Sequence, residues 1–345
     1  MKEISWINWA KVICLTIVYL DHSLIYLQVY DNFTTLESFY LPFFVNIFFF
    51  MSGYLLFRKQ LSSEIIKIRK SEFIAGEGKK MFLNVLNKIA FPTILFSAIM
   101  YIPKKMIRGD EFTILSFAKD TILGGSIWFT CALAVAELLV LTMLLSRQRN
   151  IYFYIVVSMF LSALAIIIND SGFTILSSEN IPWFYKSGMI ATLFLSLGGL
   201  YSHYEYNIDK VIGKYSVVFI IALAYSVIST FHFASVKISL IHASISIQGL
   251  FMALASIYVI IFFTKKLKSI PLINHLGRIS LGIYLLSGGI PNVLGVIFIK
   301  YGFHNIYINV LFVTIISFVI GAIIVDVLNR ICPGIFNFKL LYRKK

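Results

Sequence analysis

The chain has 345 residues, of which 59% are hydrophobic and 13% are charged, and its mean hydropathy is +0.86. A soluble domain of this size would carry about twice that charged fraction, so the composition excludes one. Apolar segments of about twenty residues recur along the whole chain, which is typical of a polytopic helical membrane protein. The net charge of +14 does not indicate nucleic-acid binding, because the Lys and Arg residues lie in short loops, where they orient membrane helices.

These segments predict an all-α transmembrane bundle of about ten spans that forms a single domain over residues 1–345, with no separate soluble domain. The predicted spans are 7–30, 40–57, 83–103, 122–146, 151–168, 187–202, 215–233, 241–264, 279–299 and 306–328. Most of the 30 Lys and Arg residues fall on the side of the two chain termini, which predicts that both termini are cytoplasmic.

The first span carries two ionisable side chains on one face. Lys11 and His22 are eleven positions apart, so on a helix they point within about 20° of one another and lie about 16 Å apart along its axis. Such groups are costly in hydrocarbon and usually mark a functional site. A neutral imidazole can take a proton from a hydroxyl, although His22 can also simply hydrogen-bond a neighbouring helix. Asp21 lies about 100° round the helix and is expected to pair with another helix or to face the outer interface.

The predicted cytoplasmic loop 58–82 holds the densest basic cluster, which comprises Arg58, Lys59, Lys67, Arg69, Lys70, Lys79 and Lys80. Helix orientation and contact with anionic lipid explain most of this charge. The alternative interpretation is a landing site for a phosphate-rich cytoplasmic ligand. That interpretation applies to the cations nearest the membrane, Arg58 and Lys88.

The second and fourth spans hold further intramembrane polar groups. Ser52 precedes a glycine, a pair that favours either close helix packing or a local kink, and Asn46 needs a partner if it is buried. Glu137 falls near mid-membrane and is the acid best placed to pair with a cation such as Lys88. Trp128 lies near the outer end of the fourth span and is either an interface anchor or a ligand contact.

Ser280, Tyr284 and Ser287 recur at helical spacing in the ninth span, where they either present hydroxyl groups to one side or pack against a neighbour. The three cysteines are far apart, and the remaining histidines show no metal-ligand spacing. We therefore expect neither a disulfide framework nor a metal site. Interfacial positions are expected for Asp326 and for the remaining histidines, which are His203, His232, His242, His275 and His304.

Four stretches, in this order, resemble the bacterial integral-membrane acyltransferase 3 family. Residues 6–11 followed by His22 resemble its basic residue and histidine separated by ten positions. Residues 45–55 resemble its Phe-Phe-x-x-Ser-Gly-Tyr-Leu helix, 127–133 its Trp-Phe-Leu segment, and 276–286 its late Leu-Gly-x-x-Ser-Leu segment. The chain differs from the common pattern at Asn8, Lys11, Asp21, Asn46 and Ser287.

The resemblance implies an enzyme of the bacterial inner membrane that O-acylates, usually O-acetylates, a hydroxyl of a cell-envelope polysaccharide or of its lipid-linked precursor. The implied donor is acetyl-CoA, whose phosphates would meet Lys11, Arg58 and Lys88. His22 would act as general base or as acyl relay. The residues implied to support the site or contact the acceptor are Asn46, Ser52, Trp128, Glu137, Ser280 and Tyr284.

Two other classes of protein compete with this enzyme. A transporter or flippase for a lipid-linked glycan would use Lys11, Glu137 and His22 as a proton or substrate path. Against it, the sequence shows no paired broken helices and no internal repeat. A structural membrane subunit would not need a buried lysine and histidine on one face. Of the three, the enzyme is favoured, with acyl-CoA, an envelope glycan and membrane lipid as partners and no nucleic acid.

Overall fold

The computed structural model describes residues 4–61, 69–108, 111–124, 127–146, 150–170, 182–214, 216–233 and 247–336. These residues are predominantly helical and form no strand, which confirms the predicted all-α fold class. In chain order the helices are α1 (Ser5–Tyr26), α2 (Thr34–Tyr40), α3 (Asn46–Gln60), α4 (Lys70–Phe73), α5 (Lys79–Val85), α6 (Phe91–Arg108), α7 (Ile114–Ile122), α8 (Trp128–Leu144), α9 (Ile151–Asp170), α10 (Tyr185–Lys214), α11 (Ser216–Phe233), α12 (Ile247–Lys266), α13 (Pro271–Arg278), α14 (Ser280–Leu286), α15 (Ile290–Tyr301) and α16 (Ile306–Ile331). Two π-helical turns, Ile74–Gly78 and Leu86–Ala90, join α4 to α5 and α5 to α6.

Several helices have the length and hydropathy of membrane spans. Among the described residues five segments qualify, namely Ser5–Tyr26, Lys70–Ile102, Ile151–Ile168, Gly249–Lys266 and Ile306–Ile331. The helices α14 and α15 qualify only together, as a pair bent by 47°. Each of the ten predicted spans overlaps a helix. Ten stays a prediction for the number of crossings, because shorter apolar helices such as α8 lack the length of a full span.

Parts of the predicted loops are helical. Helix α4 and the first half of α5 lie within the predicted loop 58–82, most of α7 lies between the predicted spans 83–103 and 122–146, and α10 continues through the predicted loop 203–214. The polar stretch 203–214 is not marked as a span by its hydropathy. In α10 the carboxylates of Glu205 and Asp209, one turn apart, both accept hydrogen bonds of 2.6 Å from Lys265 Nζ of α12. A tertiary contact therefore stabilises this end of α10.

The predicted span 279–299 is broken in the structure. Helix α14 ends at Leu286 and α15 begins at Ile290, with Pro291 in its first turn. A proline at this position starts a helix readily but cannot donate a backbone hydrogen bond to a preceding turn. Two glycines, Gly288 and Gly289, occupy the break. The bend and its cause were visible in the sequence only as this Gly-Gly-x-Pro pattern.

Helix α10 packs against α3, α8 and α9 and forms much of the buried core. Its contact with α3 is close, because a Cβ atom on Gly53 would lie 1.9 Å from the Leu195 carbonyl oxygen. A Cβ atom on Gly198 would likewise lie 1.9 Å from the Phe50 carbonyl oxygen. The predicted close approach at the Ser52-Gly53 pair is confirmed.

Helix α1 contacts α3, α12, α13, α14, α15 and α16. Its side chains hydrogen-bond a segment that runs beside it in the same direction, with Asn8 bonded to Asn274 (3.2 Å), Lys11 to the Gly277 carbonyl (3.5 Å), Tyr19 to the Ile283 carbonyl (2.9 Å) and Tyr26 to the Gly288 carbonyl (3.0 Å). The partner number rises steadily with the position along α1. The position of a residue along 274–288 therefore indicates its level along the axis of α1.

Candidate active site

A cavity of about 260 Å³ lies among α1, α3, α8, α14 and the turn that precedes α6. Six residues singled out in the sequence line it, namely Lys11, Ser52, Lys88, Glu137, Ser280 and Tyr284. The rest of the lining is apolar apart from one asparagine, and comprises Phe48, Met51, Leu55, Asn84, Ile89, Phe129, Leu133 and Leu281. The structure thus brings polar groups from five separate chain segments to one largely apolar chamber.

The cavity lining contains a hydrogen-bonded pair. Ser52 Oγ of α3 donates to the Glu137 carboxylate of α8 at 2.6 Å. Lys88 lines the same cavity. The hydrogen bond from Ser52 joins α3 to α8, and the pairing of Glu137 with Lys88 stays a prediction.

Lys11 lies at the end of the cavity nearest the N-terminus of α1. Its Nζ atom donates to the Gly277 carbonyl oxygen at 3.5 Å, and its side chain is half-buried. A side chain on Gly277 would collide with Asn8, since a Cβ atom there would lie 2.5 Å from Asn8 Oδ1. The close contact of α13 with α1 fixes the carbonyl that holds this ammonium group.

Two aromatic rings lie at the other end of the cavity. Phe129 and Tyr284 are both buried, and their ring centroids are 4.7 Å apart. The neighbouring Ile283 is bonded to Tyr19, so Tyr284 lies at a depth between Lys11 and His22 along α1. The cavity therefore extends from Lys11 toward the level of His22 and ends at this aromatic pair.

His22 is not part of the cavity lining and lies beyond the aromatic pair, half-buried. Its imidazole stacks on Tyr26, with ring centroids 6.0 Å apart and an interplanar angle of 21°. Asp21 accepts a hydrogen bond of 2.8 Å from the Tyr40 hydroxyl of α2. The prediction that Asp21 pairs with another helix is confirmed.

The other residues singled out in the sequence lie outside the cavity. Arg58 is exposed at the end of α3, donates to the Tyr54 hydroxyl and lies 3.9 Å from the Glu205 carboxylate. Asn46 is buried and donates to a main-chain carbonyl four residues earlier. Trp128 is half-buried and packs edge-on against the neighbouring phenylalanine.

Two polar residues have partners that the sequence did not indicate. His275, expected at the interface, has its Nε2 atom 2.9 Å from both carboxylate oxygens of Asp326 in α16. Lys104, which follows the predicted span 83–103, lies within α6, and its ammonium group reaches the Gly288 backbone in the break between α14 and α15. Its position directly after Pro103 resembles the end of a span, so no local signal distinguished it from a charge that only sets orientation.

In the part of the chain that the structure describes, no group of three or more His, Cys, Asp or Glu residues is placed to hold a metal ion. The cavity lining and His22 together offer an imidazole, two ammonium groups, three hydroxyl groups and one carboxylate for chemistry. Such a set can bind an anionic ligand and move a proton at a hydroxyl.

Residues 4–327 match the family model described as an acyltransferase domain, which covers nearly the whole chain. No curated protein and no solved structure matches the chain.

Proposed function

Because the chain belongs to the acyltransferase 3 family and is a multi-pass membrane acyltransferase, we propose that it O-acylates a carbohydrate. The proposed donor is cytoplasmic acyl-CoA, with acetyl or another short acyl group transferred. The proposed acceptor is a hydroxyl of a cell-envelope polysaccharide or of its lipid-linked precursor, and the proposed location is the bacterial inner membrane.

The observation that carries the proposal is the cavity that extends from Lys11 toward the level of His22. Lys11 and Lys88 supply cations at the end nearest the N-terminus of α1, where they attract the donor phosphates. Arg58, half exposed at the inner end of α3, adds a third cation outside the cavity for the distal phosphate. The apolar walls suit the pantetheine arm, and the Ser52–Glu137 pair offers polar atoms to its amide groups.

The acyl end of the donor then lies at the Phe129–Tyr284 pair, close to the level of His22 along α1. Transfer needs these rings to move so that the thioester carbon meets an acceptor hydroxyl. His22 takes the hydroxyl proton as general base while the hydroxyl oxygen bonds to the acyl carbon. The carbon–sulfur bond breaks, and the thiolate of CoA takes a proton from the imidazolium. An acyl relay through His22 is the alternative route.

The acceptor reaches His22 from the opposite end of α1. Trp128, half-buried at the start of α8, provides an aromatic face near that end for a sugar ring. Tyr284 has one face occupied by Phe129, so in this conformation it supports the cavity and does not stack on a sugar.

The proposal is tested by measuring O-acetyl groups on the surface glycan, by mass spectrometry, in cells that carry His22→Ala. We expect the O-acetyl groups to disappear while the amount of exported polymer stays unchanged. His304→Ala is the matched control, because His304 is exposed in the turn before α16. In membranes, the release of free CoA from acetyl-CoA should depend on added acceptor and on His22.

Two results would contradict the proposal. Full acyl transfer by His22→Ala would show that the imidazole takes no part in the reaction. Loss of polymer export in the same variant, with normal acetylation of the residual polymer, would indicate the glycan transporter instead. The family assignment gives that alternative no support.

A further inference from the structure

Lys104 extends from α6 to the break between α14 and α15. A Cβ atom built on Gly288 would lie 3.3 Å from Lys104 Nζ and 3.6 Å from Lys104 Cε. The ammonium group therefore lies against the Gly288 backbone, where even a Cβ atom would press on it. Because Gly288 in the break between α14 and α15 has no side chain, the Lys104 ammonium group can approach the backbone there.

The same glycine connects Lys104 to His22. The Gly288 carbonyl accepts a hydrogen bond of 3.0 Å from the Tyr26 hydroxyl, and the Tyr26 ring stacks on the His22 imidazole. Three helical segments thus link an ammonium group to an imidazole through the Gly288 backbone and the Tyr26 side chain.

We propose that Lys104 is a catalytic residue, which stabilises the negative charge that forms on the acyl carbonyl oxygen during transfer. This inference rests on the proposed function and assigns a role to a residue outside the motifs that carry the family resemblance. A fixed positive charge aimed at the developing oxyanion is among the largest sources of rate enhancement in acyl transfer.

The step creates a negative charge at an atom that such a group can stabilise. The acceptor oxygen bonds to the thioester carbon as its proton passes to His22, and the π electrons of the carbonyl move onto the carbonyl oxygen. That oxygen becomes an anion, which Lys104 holds. When the carbonyl re-forms, the carbon–sulfur bond breaks, and CoA leaves as a thiolate that takes the proton back from His22. The products are an acyl ester and CoA thiol.

Neither Lys11 of the cavity nor the neighbouring Lys105 is placed for this role. Lys11 lies eleven residues before His22 on the same helix, about 16 Å away along its axis. Lys105, next to Lys104 in sequence, places its Nζ atom over the Tyr101 ring, 5.9 Å from the centroid. Lys105 therefore offers a matched control with the same charge, the same helix and nearly the same depth.

The test compares Lys104→Met, Lys104→Arg and Lys105→Met in the full-length protein in membranes. The substrates are acetyl-CoA and the surface glycan of a strain that lacks the protein. We expect Lys104→Met to lower kcat by about 100-fold or more, with little change in KM for either substrate. Lys104→Arg should recover part of the rate, and Lys105→Met should behave as the wild type. Methylammonium in the assay should partly restore Lys104→Ala, which a purely structural role would not permit.

A kcat for Lys104→Met within a few-fold of the wild type overturns the inference, as does a loss confined to the KM of the acceptor. If Lys104→Met does not fold, Lys104→Gln and the amine rescue of Lys104→Ala decide the question. The proposed function is judged separately, by whether the wild type transfers the acyl group and His22→Ala does not. Absence of transfer by the wild type would end both proposals.

Discussion

If the proposed donor occupies the cavity, Phe129 and Tyr284 determine how far its acyl group can extend. Both rings are buried, both belong to the cavity lining, and they contact each other at the end far from Lys11. Since the remaining walls there are apolar, the space below the rings suits a short hydrocarbon chain. The identity of residue 129 should therefore influence which acyl group is transferred.

We expect Phe129→Ala to shift donor preference toward longer acyl groups. Removing the ring lengthens the cavity by the space that one or two methylene groups occupy, and each methylene in an apolar pocket changes discrimination by about tenfold. The ratio of kcat/KM for butyryl-CoA to that for acetyl-CoA should rise accordingly. Phe49→Ala is the control, because Phe49 packs behind Phe129 at 4.9 Å and does not line the cavity. An unchanged ratio in Phe129→Ala would place the acyl group elsewhere.

The charged residues within apolar segments were the site residues that the sequence predicted correctly. Lys11, Lys88 and Glu137 stood out because charges are rare in apolar segments, and the structure brings all three to one cavity. Lys104 did not stand out, since it follows a proline at the end of an apolar run. Arg58 was grouped with the cavity cations, yet its partners are Tyr54 and Glu205, which only the tertiary structure reveals.

At the scale of helices, the pairing of α3 with α10 fixes one wall of the cavity. Ser52 is on α3, and the glycine beside it allows the α10 backbone to approach closely. Small residues drive such packing in membranes because they let backbones meet without loss of contact elsewhere. The position of Ser52 opposite Glu137 therefore depends on a neighbour that touches no ligand.

We expect Gly53→Ala to destabilise the protein and to lower activity together with stability. The added methyl would lie 1.9 Å from the Leu195 carbonyl oxygen, so the helices must separate. Overpacking of this kind costs about 1–3 kcal/mol or more. Thermal unfolding in detergent should show a clearly lower Tm than the wild type. Gly76→Ala is the control, since a Cβ atom there meets nothing within 4 Å. Equal Tm values for the two variants would contradict the packing argument.

Helix positions followed from hydropathy, whereas their ends did not. Apolar runs identified a helix at every predicted span. Hydropathy could not foresee that 203–214 stays helical, because its stability depends on the ion pairs of Glu205 and Asp209 with Lys265. It also missed the break at 287–289, where neighbouring chain segments satisfy the backbone that the glycines free. In both cases contacts distant in sequence decided the local structure.

For the whole molecule, the two ends of α1 lie beside different sets of functional groups. Lys11 and Lys88 lie toward the end that carries the N-terminus, and His22 with Lys104 lies toward the other. The excess of Lys and Arg on the side of the termini predicts that this side is cytoplasmic. Donor and acceptor should therefore approach from opposite faces of the membrane.

Sealed vesicles of known orientation test this arrangement. In inverted vesicles the cytoplasmic face points outward, so radiolabelled acetyl-CoA added outside should reach the cations of the cavity and label the enclosed glycan. In right-side-out vesicles the same donor meets the other face, and its phosphates cannot cross the bilayer, so we expect no labelling. Permeabilising both preparations with detergent should make their labelling equal, which controls for the amount of enzyme and acceptor. Labelling of intact right-side-out vesicles by external donor would contradict both the predicted orientation and the direction of transfer along α1.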